Sequence, residues 1–195
     1  MPGIDPAKSF AFFSTVGKLK TLKRTGWVDN EVSLPESVAD HMYRMSMLCF
    51  MLTDTSIDKD RLIKICMVHD LAEAIVGDIT PEDKSGVSKE DKQAMEIKAL
   101  QEIVNDIGHP EISNEIRELW MEYEDGVTEL GKIAKQLDKY EMILQADEYE
   151  KQHIAEKKKL ESFFTYPEGY FTHPEIKEWD AFLRENRNKR WSEME

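Results

Sequence analysis

Two histidines in this sequence fall where helical periodicity calls for apolar side chains. Val38, His41, Met45, Leu48 and Leu52 follow the three- and four-residue steps of one helix face, so His41 points inward. Leu62, Cys66, His69, Glu73 and Val76 form a second such face, with Asp70 directly after His69 and Glu73 one turn beyond it. A lone inward histidine is usually a core residue satisfied by hydrogen bonds, and for His41 taken alone that account stays open. Two of them, one followed at once by an aspartate, shift the balance. Burying these groups without partners is costly, and a divalent cation relieves the cost by accepting their lone pairs. Imidazole with carboxylate suits a borderline or harder divalent ion that leaves some positions to water.

Other residues offer chemistry on weaker grounds. Leu130, Ile133, Leu137 and Leu144 mark the buried stripe of a long helix, and Asp138 flanks it on the row Ala134, Asp138, Met142. A carboxylate at such a boundary is ordinarily a surface group, and periodicity alone does not select it. Asp78 follows Gly77 just past a helix end, where the chain can turn it back over His69 and Glu73. The plainer account makes Glu73 a helix-surface residue and Asp78 a loop cap. In Lys23-Arg24-Thr25-Gly26-Trp27, Arg24 can grip a phosphate through a two-pronged set of donors. Trp27 offers a flat wall for a sugar or base, or an interior anchor. His109 lies beside Pro110 at a helix junction, while His153 and His173 read as surface or capping residues.

The elements that must position these groups are helical almost throughout, with punctuation at helix-length intervals and no run of alternating β-branched residues. A first helix is expected over about 6–23, its apolar stripe Phe12, Val16, Leu19 and Leu22, broken by Gly26. A second opens at Pro35, capped by Ser33 or Ser37, and a third runs over about 58–76 to a stop at Gly77. The stretch from Asp78 through Pro81 to Asp83 reads as a loop. Further helices are expected over about 88–108, 110–124 and 128–152, then an aromatic connection (Phe163, Phe164, Tyr166, Tyr170, Phe171) and a last helix from Pro174. The fold class is therefore all-α: a compact bundle of about seven helices.

At 195 residues the chain suits one domain with a proper core, and its 41% hydrophobic content is ordinary for a globular protein. No apolar run approaches the roughly 20 residues of a membrane span, and the N-terminus lacks the basic start and apolar stretch of a secretory signal. Cytoplasmic location, with the nucleus also open, follows, and no membrane partner is expected. Cys49 and Cys66 sit in apolar helical patterns and read as buried thiols. A formal charge of −13 argues against a nucleic-acid polymer as partner, although a local Arg or a metal ion can still attract a small anion.

Three blocks carry a resemblance. They are Glu36-Ser37-Val38-Ala39-Asp40-His41-Met42-Tyr43-Arg44-Met45, His69-Asp70-Leu71-Ala72-Glu73-Ala74-Ile75-Val76-Gly77-Asp78, and Lys135-Gln136-Leu137-Asp138-Lys139. In this order they resemble the HD-domain-containing protein 2 family, eukaryotic relatives of bacterial 5′-deoxynucleotidases, and the similarity runs from about Gly17 to Glu175. The resemblance implies a single HD domain over 1–195, its metal-binding core at about 17–153 and the segment 154–195 packed upon it. It implies that His41, His69, Asp70 and Asp138 ligate one divalent cation (Mn, Co, Zn, Fe, Ni or Cu). Glu73 and Asp78 would handle the attacking water and the leaving 5′-oxygen, or hold a second hard cation such as Mg²⁺ with the Ile79 carbonyl. Arg24 and Trp27 would bind a deoxyribonucleoside 5′-monophosphate, the tryptophan crowding a 2′-hydroxyl. Bacterial members have that Arg and Trp adjacent, whereas Thr25 and Gly26 separate them here.

The implied activity is removal of the 5′-phosphate from deoxyribonucleoside 5′-monophosphates, by a homodimer. Only His109 lies between the His-Asp pair and Asp138, which favours one core metal over the two of HD phosphodiesterases. The alternatives are an HD phosphohydrolase acting on a pyrophosphate or triphosphate nucleotide, and a metal-stabilised binding module without catalysis. Glu73-Ala74 stands where a guanosine-tetraphosphate hydrolase usually has Glu-Asp, and few basic residues are evident for a triphosphate tail. Intact Glu73 and Asp78 speak against a dead enzyme.

Overall fold

The computed structural model describes residues 3–80, 86–165 and 169–194. Pro81, Glu82 and Asp83 of the expected loop and Tyr166 of the aromatic connection lie outside the described residues. Among the described residues there are seven long helices and no strand. They are α1 (Pro6–Gly17), α3 (Val38–Met51), α4 (Lys59–Val68), α6 (Lys89–Ile107), α7 (Pro110–Asp125), α8 (Glu129–Gln152) and α9 (Pro174–Ser192). Two short pieces, α2 (Thr25–Asp29) and α5 (Glu73–Val76), complete the set.

The helix starts follow local chemistry. Ser37 and Asp40 form a reciprocal capping box at α3, and Asp58, Ser88 and Thr128 each accept a backbone N–H at the starts of α4, α6 and α8. Pro110 opens α7, where its missing N–H costs nothing, and left-handed Gly126 closes it.

Three expected helices differ. The second begins at Val38 behind Ser37 rather than at Pro35. The first stops at Gly17, passes through a 3-10 turn (Lys18–Lys20), and Gly26 lies inside α2 rather than ending a helix. The third breaks after Val68, because the His69 ring takes the Cys66 carbonyl (Nδ1 to O 2.9 Å), the acceptor an α-helix would give to the Asp70 N–H. The backbone then tightens: Leu71, Glu73, Ala74 and Ile75 donate to the carbonyls three residues earlier. In such a 3-10 turn, residues three apart eclipse, so Glu73 lies in line with Asp70 rather than with His69.

Two hydrophobic clusters form the core. The larger gathers residues of α3, α4 and α8, among them Met45, Leu52, Leu62, Ile65, Ile133 and Leu137, and extends to Phe164, Phe171 and Ile176. The smaller joins Leu19, Val38, Met42, Leu71, Leu100 and Trp120. Helix α3 feeds both, Val38 and Met42 into the smaller and Met45 and Cys49 into the larger, and His41 on it is fully buried. Cys49 and Cys66 are buried free thiols, as their pattern implied. His173 stands at the N-cap position of α9, one of its two expected places, yet is buried, because the chain tucks the α9 entrance beneath Gln136, whose side-chain oxygen accepts the Thr172 and His173 N–H groups.

Candidate active site

Both histidines turn Nε2 toward the same space. His69 Nε2 lies 3.1 Å from Asp70 Oδ2, and His41 Nε2 lies 3.9 Å from that oxygen and 3.3 Å from Asp138 Oδ1. Neither Nε2 has a hydrogen-bond partner, although both are buried. A buried polar atom without a partner is costly, and here two of them converge on Asp70, the neighbour of His69, and on Asp138 from α8. The outer nitrogens are occupied: His69 Nδ1 by the Cys66 carbonyl, and His41 Nδ1 by Glu141 Oε2 at 2.5 Å. The Tyr123 hydroxyl donates to Asp138 Oδ2 (2.8 Å), and its ring leans on that of His69.

This donor set fits a divalent cation. Burial alone would raise Asp70, but the imidazoles of His69 and His41 outweigh it and bring its pKa to about 2. Burial would also raise Asp138, yet Lys139, His41 and His69 hold it well below the carboxylate range. Burial and Arg24 oppose protonation of His41, but Glu141 and Asp138 outweigh them and lift its pKa to about 9. A site that draws a proton so strongly will also draw a cation in its place. Among the described residues, Glu36, His41 and Glu141 also come close enough to hold an ion. Their atoms are already engaged: Glu36 accepts from Trp27 Nε1, and Glu141 accepts from His41 and Arg44. The lone pairs left over are those on the Asp70 side.

His69, Asp70 and Asp138 line a cleft of about 880 Å³ together with Arg24, Trp27, Glu73, Asp78 and Ile79. Burial, then the Asp70 and Asp78 carboxylates, push Glu73 well above the usual carboxylate range, and its Oε2 has no partner. Burial raises Asp78 as well, against Arg24 and the Thr25 N–H. That N–H donates to Asp78 Oδ2 (2.6 Å) and the Thr25 hydroxyl to the Asp78 carbonyl (2.5 Å). Thr25, one of the two residues between Arg24 and Trp27, thus ties this limb of the chain to the loop after α5.

Arg24 lies at the start of α2, its Nε 3.8 Å from Glu36. Trp27 is 1% exposed, so it is an interior anchor; its ring stacks on Phe163 and its indole N–H donates to Glu36. It nevertheless contributes to the cleft wall. Lys89, Lys92, Lys135 and Lys139 line the same cleft among its carboxylates, Lys92 paired with Glu96 and Lys139 with Asp138.

Sequence reasoning passed over Glu141, Arg44, Tyr123, Glu36 and Thr25. One signal was available for Glu141: it stands on the stripe Leu137, Glu141, Leu144, a charge where an apolar residue belongs. The others act through contacts that periodicity does not register.

An all-helical bundle that gathers a histidine, a His-Asp pair and a distant aspartate beneath one cleft is the architecture of the HD domain, and the HD domain family model matches residues 16–177. A Dictyostelium discoideum protein named 5′-deoxynucleotidase HDDC2 is 50% identical over 186 residues, 90% of this chain and 96% of that one. A Schizosaccharomyces pombe protein named 5′-deoxynucleotidase hdd1 is 41% identical over 197 residues, 98% of each chain. Among solved structures, a conserved hypothetical protein from Pyrococcus furiosus aligns at 32% identity with a TM-score of 0.70, covering 92% of this chain and 99% of that one. The chain belongs to the HD domain family, in its HD-domain-containing protein 2 branch.

Proposed function

We propose that this chain is a metal-dependent 5′-deoxynucleotidase, hydrolysing deoxyribonucleoside 5′-monophosphates to deoxyribonucleoside and inorganic phosphate. The observation that carries this reading is the pair of partnerless Nε2 atoms facing Asp70 and Asp138 beneath Arg24, in a chain up to 50% identical to relatives named for that activity. His41, His69, Asp70 and Asp138 would hold one divalent cation; Mn²⁺, Co²⁺, Zn²⁺, Fe²⁺, Ni²⁺ and Cu²⁺ all suit two imidazoles and two carboxylates. Bound there, the cation supplies charge that polarises the phosphoryl group and offsets the transition state.

The remaining steps fall to the side chains around it. Arg24 grips the phosphate, and Trp27 with Phe163 walls the sugar, crowding a 2′-hydroxyl. Water adds to phosphorus as the P–O5′ bond breaks. Of the pair Glu73 and Asp78, one member accepts the proton that water gives up and the other delivers one to the 5′-oxygen, so the nucleoside leaves neutral. Two carboxyls raised by burial and by the Asp70 charge also suit a second, hard cation such as Mg²⁺ held with the Ile79 carbonyl.

At coarser scale, the proposal is a single HD domain over 1–195, with a metal core at about 17–153 and the segment 154–195 packed upon it, acting as a homodimer in the cytoplasm or nucleus. Among the described residues no helix is long and apolar enough to cross a membrane. Phe10 and Phe13 of α1, 73% and 66% exposed, are apolar surface that a second copy would cover; light scattering finding only monomer at micromolar concentration overturns the dimer.

The deciding experiment measures phosphate release from ribo- and deoxyribonucleoside mono-, di- and triphosphates with several divalent ions. Deoxyribonucleoside monophosphates should be cleaved ahead of all others. Equal cleavage of ribo and deoxy forms overturns the sugar assignment, and preference for triphosphates overturns the substrate class.

A further inference from the structure

We propose that Glu141, backed by Arg44, is the positioning residue of the metal centre: it fixes the proton of His41 on Nδ1 and aims Nε2 at the ion. The inference rests on the reading that the site holds a metal. A neutral imidazole has one N–H and one lone pair, and the hydrogen bond at the outer nitrogen determines which is which. His41 is fully buried, so water cannot make that choice. Glu141, also fully buried, places Oε2 2.5 Å from His41 Nδ1. An ionised carboxylate only accepts, so the proton must sit on Nδ1 and the lone pair on Nε2.

Glu141 is itself held in place. Its second oxygen accepts from Arg44 Nε at 2.7 Å, and Arg44 donates in turn to Gln145 and Glu148, each at 2.6 Å. Asp138, Glu141, Gln145 and Glu148 follow one another on α8 at steps of three, four and three, a single helical row. His41 and Arg44 are three apart on α3 and face that row. One stripe of α8 therefore supplies a candidate metal ligand, the carboxylate behind a second ligand, and the clamp on the arginine that orients that carboxylate. His69 is held differently, by the Cys66 backbone carbonyl, so of the two imidazoles only His41 depends on a replaceable charged partner. Glu36, the other carboxylate nearby, is committed to Trp27 and Arg24 and does not substitute.

The test compares the wild-type chain with Glu141→Gln, which keeps size and loses charge, by calorimetric titration of the metal-free proteins with Mn²⁺ and Zn²⁺. Losing such a partner is expected to weaken affinity roughly 10- to 100-fold and to alter the visible spectrum of the Co²⁺-loaded protein. Unchanged affinity and spectrum, with only a lowered melting temperature of the metal-free protein, make Glu141 a purely structural residue and overturn the proposal. Should the variant not fold, ¹⁵N NMR of the Zn²⁺-loaded wild type reads the tautomer directly: protonated Nδ1 on His41 supports the inference, protonated Nε2 overturns it. Wild-type protein that binds neither ion refutes the functional reading itself, a result separable from a wild type and variant that bind alike.

Discussion

Glu73 combines burial, a partnerless oxygen and two acidic neighbours, so its ionised form is unfavourable in the folded metal-free chain. Below the unfolded-state pKa, both states carry the proton and nothing is lost. As pH rises, the unfolded chain ionises first while the folded one keeps its proton, so stability falls until the raised pKa is passed. Glu73→Gln should therefore abolish turnover, retain metal and melt higher than wild type in EDTA at pH 8. The gain should be absent near pH 4 and grow as pH rises above the unfolded-state pKa; scanning calorimetry across pH checks it. Thr25 makes a different prediction. Thr25→Val keeps the N–H to Asp78 and removes the hydroxyl, so kcat should drop roughly 3- to 10-fold with KM little changed, as expected for one lost hydrogen bond. Thr25→Ser should restore it, and steady-state kinetics of the pair show whether it does.

At the level of elements, the break between α4 and α5 is what assembles the site. An unbroken helix from Asp58 to Val76 would place Glu73 above His69; the tightened turn aligns it with Asp70 instead. The turn ends at Gly77, whose φ of 82° and ψ of 169° belong to a region that essentially only glycine occupies. No atom crowds the position of a Cβ there, so a substitution acts through the backbone alone. Gly77→Ala should cost about 1–3 kcal/mol in chemical denaturation. It should also reduce turnover at saturating metal, since Asp78 is the next residue.

For the molecule as a whole, α9 is fastened to α8 by buried charge. Arg187 donates through two nitrogens to Glu150, which is fully buried and also accepts from the Trp191 indole and the Leu160 N–H. Arg187→Met removes the nearer counter-charge of that carboxylate, leaving Arg190 at 3.5 Å, and should destabilise by up to about 3 kcal/mol, the penalty of a broken buried pair. Adding Glu150→Gln should recover much of the loss, because removing both charges is far milder than removing one. Urea denaturation of the single and double variants measures this.

The sequence by itself determined what depends on neighbours along the chain: where helices begin, from Ser37, Asp58, Ser88 and Thr128, and which faces turn inward, including those of His41 and His69. Those are matters of capping and of a 3.6-residue period, and both are written locally. Tertiary structure alone decided the rest. The helix breaks at His69 because a side chain competes for a backbone carbonyl, which periodicity does not register. Glu141 reaches His41 across 100 residues and Thr25 reaches Asp78 across 53. Lysines 89 and 92 of α6 and 135 and 139 of α8 reach one cleft only through the packing of the two helices. Contacts between distant segments follow from how helices pack, and a one-dimensional pattern carries no distance between them.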